Sequence, residues 1–229
     1  MRLAGHLCKS RCQEILSGDY SFAKSLAAKG FGRLQVNATA ANGVFVDPNK
    51  LDEYVANIKA CILAVPEIEW IIQANEETKP IWERLVVPVA RSSGASTTMS
   101  LPSNMSLLYD ASCGKGELAT SYPAPFSIST TTSSKAGEDG GKSGGVLCVP
   151  SGYAGGMGPS TIHAVLTALR EATNGTRVWV DMESRLRTLT TDAAGGVQRD
   201  IFDINKCFEC VQVGLQFGLP VSKFSLLSV

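Results

Sequence analysis

Short apolar runs alternate with segments of helical periodicity along most of the chain, and this alternation constrains the fold more than any other feature. Six of the apolar runs have the length and composition of strands, at residues 2–8, 32–37, 67–75, 106–112, 146–154 and 177–181. Apolar residues recur at helical spacing over 12–29, 47–63, 162–169 and 203–215. Residues 77–91 are predicted to be helical for part of their length, although Pro80 and Pro88 interrupt them. Strands alternating with helices predict parallel βαβ units, which build either an open doubly wound sheet or a (β/α)8 barrel.

One segment interrupts the alternation. Residues 119–145 are poor in large apolar side chains and dense in Ser, Thr, Gly and Pro, a composition that predicts a mobile surface insertion. Because a segment without an apolar face buries little area, we expect this insertion to be dispensable for folding.

Charge and cysteine content narrow the classes of partner. Lys plus Arg and Asp plus Glu each number 21, so no net basic field attracts nucleic acid or anionic lipid. No apolar run approaches the roughly 18–20 residues of a membrane helix, and the seven scattered cysteines predict reduced thiols. These features predict a cytoplasmic protein with a small-molecule ligand and with neither a nucleic-acid nor a membrane partner.

Polar side chains stand two residues apart where five of the predicted strands end. Residues i and i+2 share a face of a strand, and the carboxyl ends of parallel strands form the usual active site of α/β enzymes. The alternative is that these residues begin loops and cap the next helix. The pairs are His6 and Cys8, Gln35 and Asn37, Gln73 and Asn75, Asp110 and Ser112, and Asp181 and Glu183. We expect His6, Gln35, Gln73, Asp110 and either Asp181 or Glu183 to line one cavity.

Asp110 is the strongest single catalytic candidate, because it follows Leu107, Leu108 and Tyr109 directly out of a buried strand. Partial burial disfavours the charged form of a carboxyl group and can prepare it to donate a proton near neutral pH. The alternative is that Asp110 satisfies backbone amides in the turn that follows.

Residues 155–160, Gly-Gly-Met-Gly-Pro-Ser, connect a predicted strand to a predicted helix. Glycine allows close approach to the backbone, and amide hydrogens point outward at the start of a helix, which suits a phosphate group. We expect Gly155, Gly156, Gly158 and Ser160 to bind an anion, although glycine also serves tight turns.

With these segments placed, the second half of the chain resembles the phosphoribosylanthranilate isomerase family. Residues 107–112 resemble its sixth strand, 153–159 its seventh strand and phosphate loop, 178–184 its eighth strand and 33–37 its fourth. The chain is more similar still to an uncharacterised group related to this isomerase, which shares His-Leu-Cys, Arg-x-Gln-x-Asn, Gly-Tyr-Ala-Gly-Gly and Asp-Met-Glu.

The resemblance implies a TIM-type (β/α)8 barrel that catalyses an Amadori-type aldose–ketose isomerisation of a sugar-phosphate-like ligand without a cofactor. Asp110 would be the general acid, and the glycine loop would hold the phosphate. The family's base is a cysteine on the first strand, and that strand has no counterpart here. His6 and Cys8, on a strand that aligns as the third, are the other catalytic candidates. The candidate substrate-binding residues are Gln35, Asn37, Gln73, Asn75, Asp181, Glu183 and Arg185.

Besides lacking the first strand, the chain departs from the family at the eighth strand, whose loop in the family is small, contains glycine and helps to bind phosphate. Residues 182–185 are Met-Glu-Ser-Arg here. A carboxylate about 4 Å from a dianion costs on the order of several kcal/mol at an effective dielectric of 20. Either Arg185 or Arg187 offsets this repulsion, or the ligand is not a phosphate.

The strand count falls short of a closed barrel. A complete barrel has eight strands and takes about 250 residues, whereas this chain has 229 residues. We therefore predict one barrel domain over residues 1–229 that is gapped or is shortened at its N-terminus, with edge strands at 2–8 and 177–183. Open edges invite pairing, which makes a homodimer possible.

Two other functions stay open beside the isomerase. One is a barrel that has lost catalysis and binds a metabolite or a protein partner. The other is a lyase or epimerase in which Asp110, Asp181 and Glu183 hold a divalent cation, since such oxygen ligands suit Mg²⁺ or Mn²⁺.

Overall fold

A computed structural model gives the fold and describes residues 3–86, 101–113, 115–131, 144–191 and 198–218. The strands are β1 (Leu3–Leu7), β2 (Phe31–Val36), β3 (Glu69–Ala74), β4 (Met105–Asp110), β5 (Ser127–Thr131), β6 (Gly144–Cys148), β7 (Ser151–Ala154), β8 (Trp179–Val180), β9 (Arg187–Thr191) and β10 (Gln198–Phe202). The helices are α1 (Lys9–Leu16), α2 (Ser21–Ala28), α3 (Leu51–Ala64), α4 (Lys79–Val86), α5 (Ile162–Ala172) and α6 (Ile204–Gln216). Short 3-10 turns cover Ala40–Asn42, Pro48–Lys50 and Ser184–Leu186.

Six strands form one parallel sheet in the order β1-β2-β3-β4-β7-β8. β1 and β8 are the two edges of this sheet, as the sequence predicted. The sheet curls into a half-barrel. The curvature places the guanidinium carbon of Arg33 on β2 at 4.4 Å from the ring centroid of Trp179 on β8. Three strands separate β2 from β8 along the sheet, so only a strongly curved sheet brings these side chains together.

The outer face of the curled sheet packs against helices and holds the main core. Leu34, Trp70 and Leu107 are fully buried on β2, β3 and β4. They form one apolar cluster with residues of α1 and α3, among them Ile15 and Ile62. Alternation along the strands and helical spacing along the helices place these apolar faces against each other.

The inner face of the sheet carries an ion pair and an indole ring below the strand ends. Nη2 of Arg33 donates to Oε1 of Glu69 at 2.8 Å, and Oγ of Ser106 donates to the same oxygen at 3.0 Å. Trp179 lies across Gly152, where an added Cβ atom would overlap the indole ring. Side chains therefore fill the interior of the half-barrel beneath the strand ends.

Two predicted elements are divided in the structure. The predicted helix 12–29 is α1 and α2, because Gly18 has a φ of +85° and the Ser21 amide donates to the Asp19 carboxylate at 2.9 Å as α2 begins. The predicted strand 146–154 is the end of β6 and the whole of β7. Pro150 stands between them, where it has no amide hydrogen to offer a sheet.

The insertion predicted over 119–145 contributes to the core, contrary to the expectation of a segment without an apolar face. The ring of Tyr122 lies edge-on to the ring of Tyr153, with centroids 5.9 Å apart. Phe126 packs against the main core, its ring centroid 6.0 Å from that of Trp82. The first part of the insertion is therefore attached to the sheet and helices rather than free on the surface.

Two antiparallel hairpins, β5–β6 and β9–β10, stand apart from the six-stranded sheet. Residues 132–143, between β5 and β6, lie outside the described residues, as do the last residues of the helix predicted over 77–91. In the described part of the chain, no helix is long and apolar enough to cross a membrane. The seven cysteines are free thiols.

Candidate functional site

A cavity of about 100 Å³ opens at the carboxyl ends of the parallel strands. Every predicted pair of strand-end residues supplies at least one of its lining side chains, so the predicted convergence is confirmed. Its polar lining consists of His6, Gln35, Asn37, Asn42, Gln73, Asp110, Ser112, Asp181, Glu183, Ser184 and Arg185. Because strand residues alternate between faces, the last inward-facing positions of several strands meet at this end of the half-barrel.

Asp110 is held in place by hydrogen bonds on both carboxylate oxygens. Nε2 of Gln73 donates to Oδ2 at 2.8 Å, while the hydroxyl and the amide of Ser112 donate to Oδ1 at 2.6 and 3.1 Å. Asp110 thus satisfies a backbone amide of the following turn and also lines the cavity. Both interpretations of this residue from the sequence have a counterpart in the structure.

Gln73 presents an unsatisfied acceptor at the same place. Its side chain is buried, and Oε1 has no hydrogen-bond partner among the described residues. A carboxylate only accepts hydrogen bonds, so the contact with Asp110 fixes which end of the amide is the donor. An unsatisfied buried acceptor costs about 1–3 kcal/mol, and such atoms in folded proteins call for an explanation. A hydrogen-bond donor on a bound ligand would satisfy Oε1 and so account for it.

Asp181 is a carboxyl group of the cavity whose pKa is raised by its surroundings. Burial raises its pKa above the ordinary value of 3.8, the positive charge of His6 opposes this, and the carboxylates of Glu183 and Asp110 raise the pKa further. His6 belongs to β1 and Asp181 directly follows β8, so the two groups act on each other from opposite edges of the sheet. A carboxyl group that keeps its proton to higher pH is suited to acid–base chemistry.

The glycine loop lines the cavity with backbone. Gly155 and Gly156 have φ angles of +108° and +59°, and a Cβ atom at Gly156 would overlap the backbone of residues 117–118. The amides of Gly155, Gly156 and Met157 form no hydrogen bond within the described residues. They are therefore available to a ligand, but the carboxylate of Glu183 faces the same space.

Four predicted site residues do not line the cavity. Cys8 stands at the N-cap of α1, and Oδ1 of Asn75 accepts a hydrogen bond from the amide of Thr78 at 2.9 Å just before α4. Gly158 and Ser160 belong to the turn that begins α5, where the Gly158 amide donates to a threonine hydroxyl at 3.0 Å. These residues follow the last inward position of their strands, so local turn geometry, not strand alternation, decides where they point.

Sequence reasoning missed Asn42. It reaches the cavity from the 3-10 turn Ala40–Asn42, and its Nδ2 donates to Oγ1 of Thr39 at 2.7 Å. A short polar turn several residues after a strand carries no periodicity, so the sequence offered no signal for this contact.

In the described part of the chain, no group of three or more His, Cys, Asp or Glu side chains is arranged to hold a metal ion. Asp110, Asp181 and Glu183 line one cavity without forming such a cluster. Comparisons of the chain with protein-family models, with curated proteins and with solved structures found no match.

Proposed function

We propose that this protein is an enzyme that transfers a proton within a small hydroxylated ligand. Its resemblance to phosphoribosylanthranilate isomerase favours the aldose–ketose class of such reactions. The observation that carries the proposal is that Asp181 and His6 line one cavity from the two edges of the sheet. The raised pKa of Asp181, caused first by burial, supports a role in proton transfer.

Aldose–ketose isomerisation needs one group that removes a proton from carbon and another that delivers a proton to oxygen. A carboxyl group with a raised pKa can act as the acid, and an imidazole can accept and return protons near neutral pH. We assign these roles to Asp181 and His6. The resemblance favours Asp110 as the acid instead, but Gln73 and Ser112 donate to both of its oxygens. Asp110 is thus better placed to orient a ligand hydroxyl.

The proposal is tested by exchange of carbon-bound hydrogen. The protein is incubated in D₂O with a panel of pentoses, hexoses, their phosphates and phosphoribosylanthranilate, and deuterium incorporation is followed by mass spectrometry. We expect exchange with at least one sugar, lowered about 10²-fold or more in Asp181→Asn and in His6→Gln, because general acid–base groups contribute about that much. The matched control is Glu53→Gln on the exposed side of α3, which should leave exchange unchanged.

Two outcomes would contradict the proposal. One is that no member of the panel exchanges or rearranges. The other is that exchange persists in both Asp181→Asn and His6→Gln. Tight binding without any exchange would favour the alternative function, a barrel that binds a metabolite without turning it over.

A further inference from the structure

Acidic side chains outnumber basic ones in the described lining of the cavity. Asp110, Asp181 and Glu183 line it, and Arg185 and His6 are the side chains of its described lining that can carry positive charge. The three carboxylates repel one another, since Glu183 and Asp110 both oppose ionisation of Asp181. A bound cation would relieve this repulsion, whereas a bound dianion would add to it.

The unsatisfied oxygen of Gln73 specifies the kind of cation. Oε1 is buried and lacks a donor among the described residues, and it belongs to a side chain that lines the cavity. A metal ion would also coordinate this oxygen, but in the described part of the chain no three His, Cys, Asp or Glu side chains are arranged to hold one. An N–H group that carries positive charge satisfies the oxygen and offsets the carboxylates together. Charge-assisted hydrogen bonds of this kind are roughly twice as strong as neutral ones.

We infer that the cavity binds a protonated amino group of its ligand, with Gln73 Oε1 as the acceptor and the carboxylates of Asp110 and Glu183 as the counter-charges. The site therefore selects an amino polyol over the corresponding neutral polyol or polyol phosphate. This inference deepens the proposed function and rests on it only in taking the same cavity as the substrate site. Gln73 becomes a specificity-determining residue rather than a catalytic one.

Four probes of one carbon skeleton test the inference by titration calorimetry at neutral pH. They are 1-amino-1-deoxyglucitol, glucitol, glucitol 6-phosphate and the N,N,N-trimethyl derivative of the amine. We expect the amine to bind at least tenfold more tightly than glucitol and than the phosphate. The trimethyl derivative keeps the charge but has no N–H, so it should bind at least tenfold more weakly than the amine.

Two variants test whether Oε1 of Gln73 is the acceptor. Gln73→Met removes Oε1 together with the hydrogen bond to Asp110, and it should abolish the preference for the amine. Ser106→Ala is the matched control, because it also removes a buried donor to a carboxylate, that of Glu69 at 3.0 Å, at a side chain that does not line the cavity. The control should keep the preference within about threefold. If Gln73→Met does not fold, the trimethyl probe on the unmodified protein still decides the question.

The inference is overturned if the phosphate binds most tightly, if the trimethyl derivative binds as well as the amine, or if folded Gln73→Met keeps the preference. Its failure is distinguishable from failure of the proposed function. Sugar exchange without a preference for the amine would reject this inference alone, while a preference for the amine without exchange would reject the isomerase proposal alone.

Discussion

Asp181 ties the stability of the fold to pH. Its pKa in the folded chain is raised above 3.8 by burial, despite the opposing charge of His6. Below pH 3.8 the group is protonated in both states and its ionisation has no effect. As pH rises from there to the raised folded value, the unfolded chain releases the proton first and the folded state loses stability. Above the folded value, the loss is constant.

Asp181→Asn should remove this loss. We expect its free energy of unfolding to exceed that of the unmodified protein by a margin that grows with pH, by about 1.4 kcal/mol for each pH unit across which the two states differ in protonation. Urea unfolding at several pH values between acidic and neutral measures this margin. Gln212→Ala, at an exposed and uncharged side chain of α6, should give a margin that is independent of pH. A margin independent of pH in Asp181→Asn would contradict the argument.

At this scale, much of the site could be predicted from the sequence. Gln73 and Asp110 were identified because alternation along a buried strand fixes which side chains face inward. Cys8 and Asn75 are not among the residues that line the cavity, because alternation ends where a strand turns into a helix. The perturbed protonation of Asp181 could not be foreseen either, since it depends on burial and on His6, a residue remote in sequence.

The first part of the insertion should stabilise the fold through its aromatic residues. Phe126 packs beside Trp82, and its carbonyl accepts from the amide of Val149 at 2.9 Å. Because Phe126 is half-buried, we expect Phe126→Ala to lower the free energy of unfolding by about 2 kcal/mol, as measured by urea denaturation. This replaces the expectation that the whole insertion is dispensable.

Tyr122→Phe is the matched control in the same segment. The hydroxyl of Tyr122 is buried without a partner among the described residues, so removing it should leave stability unchanged or raise it by up to about 1 kcal/mol. If Phe126→Ala were neutral, or if Tyr122→Phe were the more damaging change, the packing described for this segment would be wrong.

At the scale of elements, the boundaries were harder to predict than the elements themselves. The helix over 12–29 has continuous apolar spacing, yet Gly18 takes a positive φ and divides it. The hairpin β5–β6 was missed because its strands are rich in Ser, Thr and Gly. That composition is typical of loops, and it hides the contribution of backbone pairing.

At the scale of the whole molecule, the two sides of the cavity are brought together by the curvature of the sheet and not by pairing between its edge strands β1 and β8. His6 lies on one edge strand, and Asp181 follows the other, β8, which pairs with β7 through only two residue pairs. Edges with few pairings open at lower free energy than the centre of a sheet. We therefore expect binding of 1-amino-1-deoxyglucitol to be lost at a lower urea concentration than the far-ultraviolet circular dichroism signal of the folded protein. Coincident transitions would show that the edges and the centre of the sheet unfold together.

The overall architecture was largely foreseeable. Strand–helix alternation predicted parallel strands, and the count of six matches the six-stranded sheet of the described residues. The curl could not be read from the pattern, because an open and a curled parallel sheet share the same alternation. The small residue at Gly152, which admits Trp179 into the interior, is a clue that becomes visible only once the strands are paired.

The indole of Trp179 gives the molecule a built-in optical signal. Trp70 is buried in the main core and Trp82 contacts the aromatic rings of Tyr109 and Phe126. Trp179 alone of the three tryptophans packs against Ala154, which lines the cavity. The fluorescence of Trp179 should therefore change when a ligand enters the cavity, so that ligand binding can be followed in the unlabelled protein.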